Sequence, residues 1–302
     1  AEPGSDPDAL LRQADVAMYR AKAAGKNAVC LYEAGMHDDV LRRLELRAEL
    51  QQAVQDGQLV NHYQPLVDLD TGAIVGIEAL VRWEHPTQGV LSPAAFIGMA
   101  EETGLIVPIG RRVLRDACHD VRAWQALHPG LALNVNLSPR QLHEPTLVSE
   151  VAACLQESGL EPGCLTLEIT ENVLVADDAA AGKTLDQLKG LGVFIALDDF
   201  GTGYSSLSHL ERFPVDVLKI DKRFVQSLGD GEPPALTRAI LGLGGMLGLK
   251  VVAEGIERPE QLEALRALGC RWGQGYLFAR PLIREATTAL LDRSRKIEVP
   301  AP

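Results

Sequence analysis

Aromatic residues make up only 5% of this 302-residue sequence, cysteines number five, and 29 basic side chains face 41 acidic ones. The shortage of Lys and Arg leaves a net charge of −12, which argues against non-specific binding to DNA, RNA or an anionic membrane surface. An acidic protein that handles an anionic substrate needs bound cations to do so. No run of about eighteen uncharged apolar residues occurs, so no membrane-spanning segment is predicted. Ala1 to Asp8 is acidic and Pro/Gly-rich, not a basic region leading into an apolar one, so the expectation is a soluble chain without a secretion signal of its own. Cys30, Cys118, Cys154, Cys164 and Cys270 are odd in number, scattered and free of C-x-x-C spacing; they read as buried thiols of a reducing cytoplasm. What is present is 46% hydrophobic residue with 23% charged, enough for one large core or two smaller ones and incompatible with disorder, collagen or coiled coil.

The first thirty residues read as a short helix (Leu10, Leu11, Ala14, Ala17, Met18 and Ala21 at helical spacing, stopped at Gly25) followed by a strand over Ala28 to Tyr32. His37 to Gly57 then predicts an amphipathic helix with Leu41, Leu44 and Ala48 on one stripe, able to link two modules or cover one end of the next. From Val60 on, short apolar runs alternate with helical stretches. Eight strands are predicted: His62 to Asp68, Ile74 to Trp83, Ala132 to Asn136, Leu165 to Ile169, Phe194 to Asp198, Val217 to Ile220, Lys250 to Ala253 and Arg271 to Gly275. Five residues separate the first two, too few for a parallel crossover, so that pair must be antiparallel. Helical stripes fall at Ile106, Ile109, Val113, Ala117, Val121 and Trp124, and at Leu236, Ile240, Leu243 and Leu247. Eight strands in about 240 residues suit a closed α/β barrel; the open doubly wound alternative lacks its G-x-G-x-x-G. Gly242, Gly244, Gly245 and Gly248 follow no strand and read as close helix packing.

Acidic and amide residues collect at the ends of these strands. Glu78, Asn134, Asn136, Glu168, Asp198, Asp199, Lys219, Asp221, Glu254 and Gln274 all fall there. Side chains at the carboxyl-end mouth of a barrel converge from different strands, so several carboxylates share one pocket and repel unless cations relieve them. Oxygen donors without a neighbouring His or Cys cluster favour Mg²⁺ or Mn²⁺. Asp221 and Glu257, each taken alone, read as solvated or helix-capping groups. His62, His85, His119, His128, His143 and His209 lack ligand spacing and read as surface or capping residues.

These residues spell a pattern. Glu78-Ala79-Leu80 lies in Ile77 to Trp83, with Tyr63-Gln64-Pro65 before it. Val135-Asn136-Leu137-Ser138, Leu167 to Glu171, Asp198 to Leu207, Leu218 to Asp221, Ala253 to Glu257 and Gln274 to Phe278 follow in order. From about residue 37 to 295 the chain resembles the EAL family. That resemblance implies an α/β fold, a modified TIM-type (β/α)8 barrel with one antiparallel strand, and a phosphodiesterase that linearises cyclic di-guanosine monophosphate (c-di-GMP) to pGpG. Ala14 to Lys22 with Gly25-Lys26-Asn27 is similar to the C-terminal end of GGDEF diguanylate cyclase domains, without their signature or nucleotide-binding half. The domain reading is therefore a GGDEF remnant at 1–33, a linker helix at 34–57, the EAL barrel at 58–295 and a tail at 296–302.

Carried over to matching positions, the resemblance implies that Glu78, Asn136, Glu168 and Asp198 hold one Mg²⁺ or Mn²⁺. Asp198, Asp199 and Glu254 hold a second about 4 Å away, and an activated water lies between the two. Lys219 adds positive charge, and Glu254 is ligand or general base. Gln64, Leu80, Arg82, Asp221, Gly255, Gln274 and Pro281 are implied substrate contacts, Arg82 for a phosphate oxygen unless it pairs with Glu84, and Gln64 for a guanine edge. Asp221 and Glu257 are expected to steady Lys219 and the metal waters. Glu171 and Glu257 anchor the loop at Gly201 to Leu207, through which a homodimer is expected. The location implied is cytoplasmic, with any membrane tether in an upstream region. The rival reading is a receptor that binds c-di-GMP without cutting it.

Overall fold

The structure, a computed structural model, describes residues 7–23, 29–33, 35–171, 173, 179–201, 213–229, 235–293 and 296–297. The predicted features at Gly25, Ala28, His209 and most of Gly201 to Leu207 lie outside them. The chain divides into two compact units, Ala1–Gln58 and Leu59–Pro302. In the first, α1 (Pro7–Ala23) and α2 (Met36–Asp56) form as the periodicity predicts, and Gly57 closes α2 at φ 75°. Two readings there are corrected. Residues 29–33 adopt no regular structure, with Val29 and Leu31 exposed, because a lone strand has no partner for its backbone groups. The buried stripe of α2 includes Leu50 and Ala53, while Leu44 and Ala48 are exposed.

The second unit is a closed barrel. Its strands are β1 (Leu59–Asp68), β2 (Ile74–His85), β4 (Ala132–Asn136), β5 (Leu165–Thr170), β6 (Phe194–Phe200), β7 (Val217–Ile220), β8 (Lys250–Ala253) and β9 (Trp272–Gly273), and β3 (Gly89–Leu91) adds an extra strand at the end of β2. Pairing runs β1-β9-β8-β7-β6-β5-β4-β2-β3 and closes through β1–β2. Of the eight barrel strands, only β1 runs against both neighbours, as the five-residue connection requires. Three strands have the predicted bounds; β3, with three residues, is too short to leave a periodic signal. β2 runs on to His85, so Glu78 lies in mid-strand and not at an end, and Gln274 lies just past β9.

Helices cover the outside. The apolar stripe of α3 (Ile106–Trp124) is buried at Ile106, Ile109, Ala117, Val121 and Trp124. The second predicted stripe, on the helix Ala235–Leu247, is buried only at Ile240; Leu236 and Leu247 are exposed. Gly244 of that helix has Val251 Cγ2 only 2.2 Å from where a Cβ would stand, the close packing expected, whereas Gly242 and Gly245 face open space. Cys118, Cys154 and Cys270 are buried free thiols; Cys30 and Cys164 are only partly covered. His85 and His128 are buried, contrary to the surface reading. His85 Nδ1 accepts from the backbone of Thr87 and Gln88, and His128 Nε2 meets the Leu291 carbonyl at 2.9 Å.

Inside the barrel, Leu66, Ala196, Val217 and Val252, from four strands, meet in one apolar cluster. Strand side chains alternate faces, so the residue two steps toward the carboxyl-end mouth points inward again. For β6, β7 and β8 that residue is Asp198, Lys219 and Glu254. For β1, which runs the other way, it is Gln64, two residues earlier. A single parity rule thus stacks a polar layer upon an apolar floor.

Candidate active site

Lys219 is fully buried at the centre of that layer. Its Nζ lies 2.5 Å from Glu254, 2.7 Å from Glu168, 3.5 Å from Glu78 and 3.8 Å from Asp198. The amides complete the net: Asn136 donates to Glu78 and Asn134 to Glu168, both at 2.8 Å, and Gln274 Nε2 donates to Glu78 at 2.5 Å and to Glu254 at 3.2 Å. Seven strands or strand ends therefore place their polar side chains on one another.

Strict alternation would send Asp198 and Asp199 to opposite faces. The backbone prevents this. The β6–β7 register slips between Leu197 and Phe200, and Asp199 sits at φ 56°, alone among described non-glycine residues in the left-handed region. One extra residue in the strand, held at a conformation Asp tolerates, turns both carboxylates to the mouth. Oxygens of Asp198, Asp199 and Glu254 then lie within 4.8 Å of one another. Asp199 N donates to Asp198 Oδ1 at 2.9 Å.

Burial sets the charge states. It pushes Glu254 up to about 8, with the Asp198 and Glu78 charges adding to it, and pushes Asp199 up to about 6, aided by Asp198. Glu168 rises well above the usual carboxylate range through burial and the Glu78 charge. For Glu78 burial is outweighed by Lys219 and by the bonds from Gln274 and Asn136, so its carboxyl stays low. Burial would lower Lys219, but the surrounding carboxylates hold it firmly protonated. One ammonium does not offset this many acids. Oxygen-only donors gathered this closely, several forced toward protonation, fit Mg²⁺ or Mn²⁺.

The other expected contacts divide. Gln64 is buried opposite Glu78 and donates one N–H of its amide to the Ala279 carbonyl at 3.0 Å. Arg82 donates to the Val81 carbonyl and meets no carboxylate at ion-pair distance among the described residues, Glu84 included. Leu80 lines a cavity of about 540 Å³ together with Glu78, Asn136 and Asp198 and with apolar side chains that include Ile97, Ile109 and Val113. The Pro281 carbonyl faces the His62 ring. Asp221 caps the helix Lys222–Gln226 by accepting from Arg223 N at 2.7 Å, and it also touches Asp199. Neither it nor Glu257, which is exposed, comes within ion-pair distance of Lys219. Glu171 is buried and accepts from Gly201 N at 3.0 Å.

Three positioning devices were not read from the sequence. At Gly275 a Cβ would stand 2.1 Å from the Ile256 carbonyl oxygen; the missing side chain lets the loop after Glu254 lie on the loop after Gln274, joined by Ile256 N to Gln274 O at 3.1 Å. Gly255, at φ 69°, faces Lys222 so closely that a Cβ would stand 2.4 Å from its Cβ. At Gly110 a Cβ would stand 2.1 Å from Gln141 Nε2, so α3 can pack on the capping box of Ser138 and Gln141 that follows Asn136. The S-x-x-Q signature of that box was legible.

A closed α/β barrel with an oxygen-lined, cation-hungry mouth is the class that fold and site define. The chain belongs to the EAL domain family, whose description matches residues 47–281. It is 45% identical over 282 residues to MucR of Pseudomonas aeruginosa, a bifunctional diguanylate cyclase/cyclic di-GMP phosphodiesterase, covering 93% of this chain and 41% of that protein. To the cyclic di-GMP phosphodiesterase PdeR of Escherichia coli it is 41% identical over 283 residues, covering 93% and 42%. The solved structure of PaMucR phosphodiesterase with c-di-GMP superposes with a TM-score of 0.77 at 45% identity, covering 80% of this chain and 99% of that one. The EAL domain of Mycobacterium smegmatis DcpA gives 0.67 at 37% identity, with coverage of 80% and 99%. The chain spans less than half the length of the curated relatives it matches.

Proposed function

We propose that this chain is a Mg²⁺- or Mn²⁺-dependent phosphodiesterase that hydrolyses c-di-GMP to linear pGpG. The observation that carries the reading is the convergence of Glu78, Glu168, Asp198 and Glu254 within 3.8 Å of one buried lysine, with Asp199 turned in beside them. Glu78, Asn136, Glu168 and Asp198 would hold one cation, and Asp198, Asp199 and Glu254 a second. When bound, such ions lower the pKa of a shared water and neutralise charge developing on the phosphoryl group.

The chain's own residues do the rest. Glu254 either completes the second cation's ligand set or, with an oxygen left free of metal and ionised once cations bind, takes the proton of the attacking water. Water oxygen bonds to phosphorus, the P–O3′ bond breaks, the departing O3′ takes up a proton equivalent to the one the water gave, and a 3′ hydroxyl and a 5′ phosphate result. Lys219 and Gln274 hold Glu254 and Glu78 in place from either side, and Arg82, which meets no carboxylate at ion-pair distance among the described residues, offers a forked donor to a phosphate oxygen. The cavity beside Leu80 has room for one nucleoside of an extended ligand, its apolar wall suiting a base. Glu171 steadies Gly201 at the end of β6, where the homodimer loop of the resemblance begins. A cytoplasmic location and an origin of α1 in a GGDEF domain belong to the same proposal.

Purified chain incubated with c-di-GMP and Mg²⁺ or Mn²⁺, with products separated by chromatography, is expected to yield pGpG at a rate abolished by EDTA and by Glu78→Ala. Tight c-di-GMP binding without turnover would instead establish the receptor reading.

A further inference from the structure

Two amides of β4 enter the polar layer. Asn136 is proposed as a cation ligand, whereas Asn134, two residues earlier, lies one inward step deeper, in register with Glu78 on β2 and Thr166 on β5. Only 4% of Asn134 is exposed. Its Nδ2 donates to Glu168 Oε1 at 2.8 Å, while Lys219 Nζ donates to Glu168 Oε2 at 2.7 Å. Chemistry fixes the orientation of the amide: turned over, its carbonyl oxygen would face a carboxylate oxygen, acceptor against acceptor. Glu168 is itself buried, and each of its oxygens is held by a donor from a different strand, so the carboxylate plane cannot turn freely. An amide at this depth costs free energy that an apolar side chain would avoid, and the floor beneath it, Leu66, Ala196, Val217 and Val252, is apolar. Filling space does not explain Asn134.

We propose that Asn134 is a positioning residue which clamps Glu168 and thereby makes the site select Mg²⁺ over Ca²⁺. The inference rests on the cation reading of the acidic layer and extends it from the ligands to what holds them. Mg²⁺ demands a near-ideal octahedron of oxygens at about 2.0–2.1 Å, whereas Ca²⁺ accepts roughly six to eight at longer and more variable distances. A carboxylate free to turn therefore penalises Mg²⁺ more than Ca²⁺. Lys219 alone cannot impose the restraint. Its Nζ also lies 2.5 Å from Glu254 and 3.5 Å from Glu78, so it acts on several acids at once as a compact charge. Asn136 is no substitute, since its Nδ2 donates to Glu78. The planar amide of Asn134 holds Glu168 in one direction. Groups that orient ligands from behind are worth about 10- to 100-fold in metal affinity.

The test is made without substrate. Mn²⁺ binding to the chain is followed by electron paramagnetic resonance, and the bound Mn²⁺ is then displaced with Mg²⁺ or with Ca²⁺; the ratio of the two displacement midpoints reports selectivity. Asn134→Leu, which keeps the branching but loses the donor, and Asn134→Ala should each weaken Mn²⁺ about tenfold. Both should raise the Mg²⁺-to-Ca²⁺ midpoint ratio about threefold or more. Val135→Ala is the control: Val135 is buried on the other face of the same strand, so this change should lower the melting temperature and leave affinity and ratio alone. Wild-type affinity and ratio in whichever Asn134 variants fold would refute the clamp while the cation reading stands. Weaker Mn²⁺ at an unchanged ratio would mark a general loosening and refute the selectivity, as would the same ratio shift in Val135→Ala. If the wild-type chain binds no Mn²⁺, the cation reading fails and the clamp fails with it.

Discussion

Replacing Lys219 with Met tests whether its ammonium is what allows the acidic layer to exist before any cation arrives. The side chain is fully buried, and four carboxylates lie within 3.8 Å of it. Methionine matches its length and apolar stem but leaves Glu78, Glu168, Asp198 and Glu254 facing one another. Removing one partner of a buried ion pair costs about 3–5 kcal/mol, because the charge left behind stays desolvated. At roughly 2–4 °C per kcal/mol for a domain of this size, the melting temperature in EDTA should fall by about 10 °C. Mg²⁺ or Mn²⁺ at about a hundred times its dissociation constant returns about 2.7 kcal/mol and should recover much of the loss. Neutralising one acid should do the same without metal, so Lys219→Met/Glu168→Gln should melt above the single variant in EDTA. The assay is thermal unfolding followed by circular dichroism, with and without cation. A Lys219→Met protein as stable as wild type in EDTA, or one equally weakened in both buffers, would refute the reasoning.

Gly275→Ala should drive a Cβ into the Ile256 carbonyl, which stands 2.1 Å from that point; backbone cannot yield as a side chain end can, so urea unfolding should show a loss of about 1–3 kcal/mol and Mn²⁺ titration a weaker site. Asp199→Asn keeps a residue suited to φ 56° and should melt near wild type, whereas Asp199→Ala should lose about 1 kcal/mol more; both should weaken cation binding, and equal melting of the two would contradict the strain argument. Glu254 at about 8 and Asp199 at about 6, pushed up mainly by burial from 4.5 and 3.8, hold protons in the folded, metal-free site that the unfolded chain has released. Metal-free stability should therefore be greatest below about pH 4 as far as these groups are concerned, and decline as pH rises toward 8. Cation binding at pH 7 should release protons, seen by calorimetry in two buffers of different ionisation enthalpy; a buffer-independent heat would count against these shifts.

Much of the site was readable in advance because strand parity is a local property. Asn134 and Asn136 fall two apart, as do Glu168 and Thr166 or Lys219 and Val217, so their shared direction follows from the chain alone. The antiparallel first strand was likewise forced by a five-residue connection. The left-handed turn at Asp199 was not readable, since Asp-Asp after an apolar run is equally compatible with regular alternation, and only the slip against β7 selects the bulge. Nor was the burial of His85 and His128, which depends on what packs over them. The expected strand at Ala28 to Tyr32 has the right composition, yet 29–33 stays irregular because a strand needs a neighbour to complete its hydrogen bonds.

Composition and periodicity by themselves determined a barrel of alternating strands and helices with acids and amides at its inner face, because side-chain direction repeats every two residues along a strand. Tertiary structure alone decided which of those groups touch, through closure of β1 onto β2 and β9, the bulge in β6, and the bare backbone at Gly275. These decisions are long-range. Distances between carboxylates as far apart in sequence as Glu78 and Glu254 are set by how the whole ring of strands closes, and by the lysine enclosed within it.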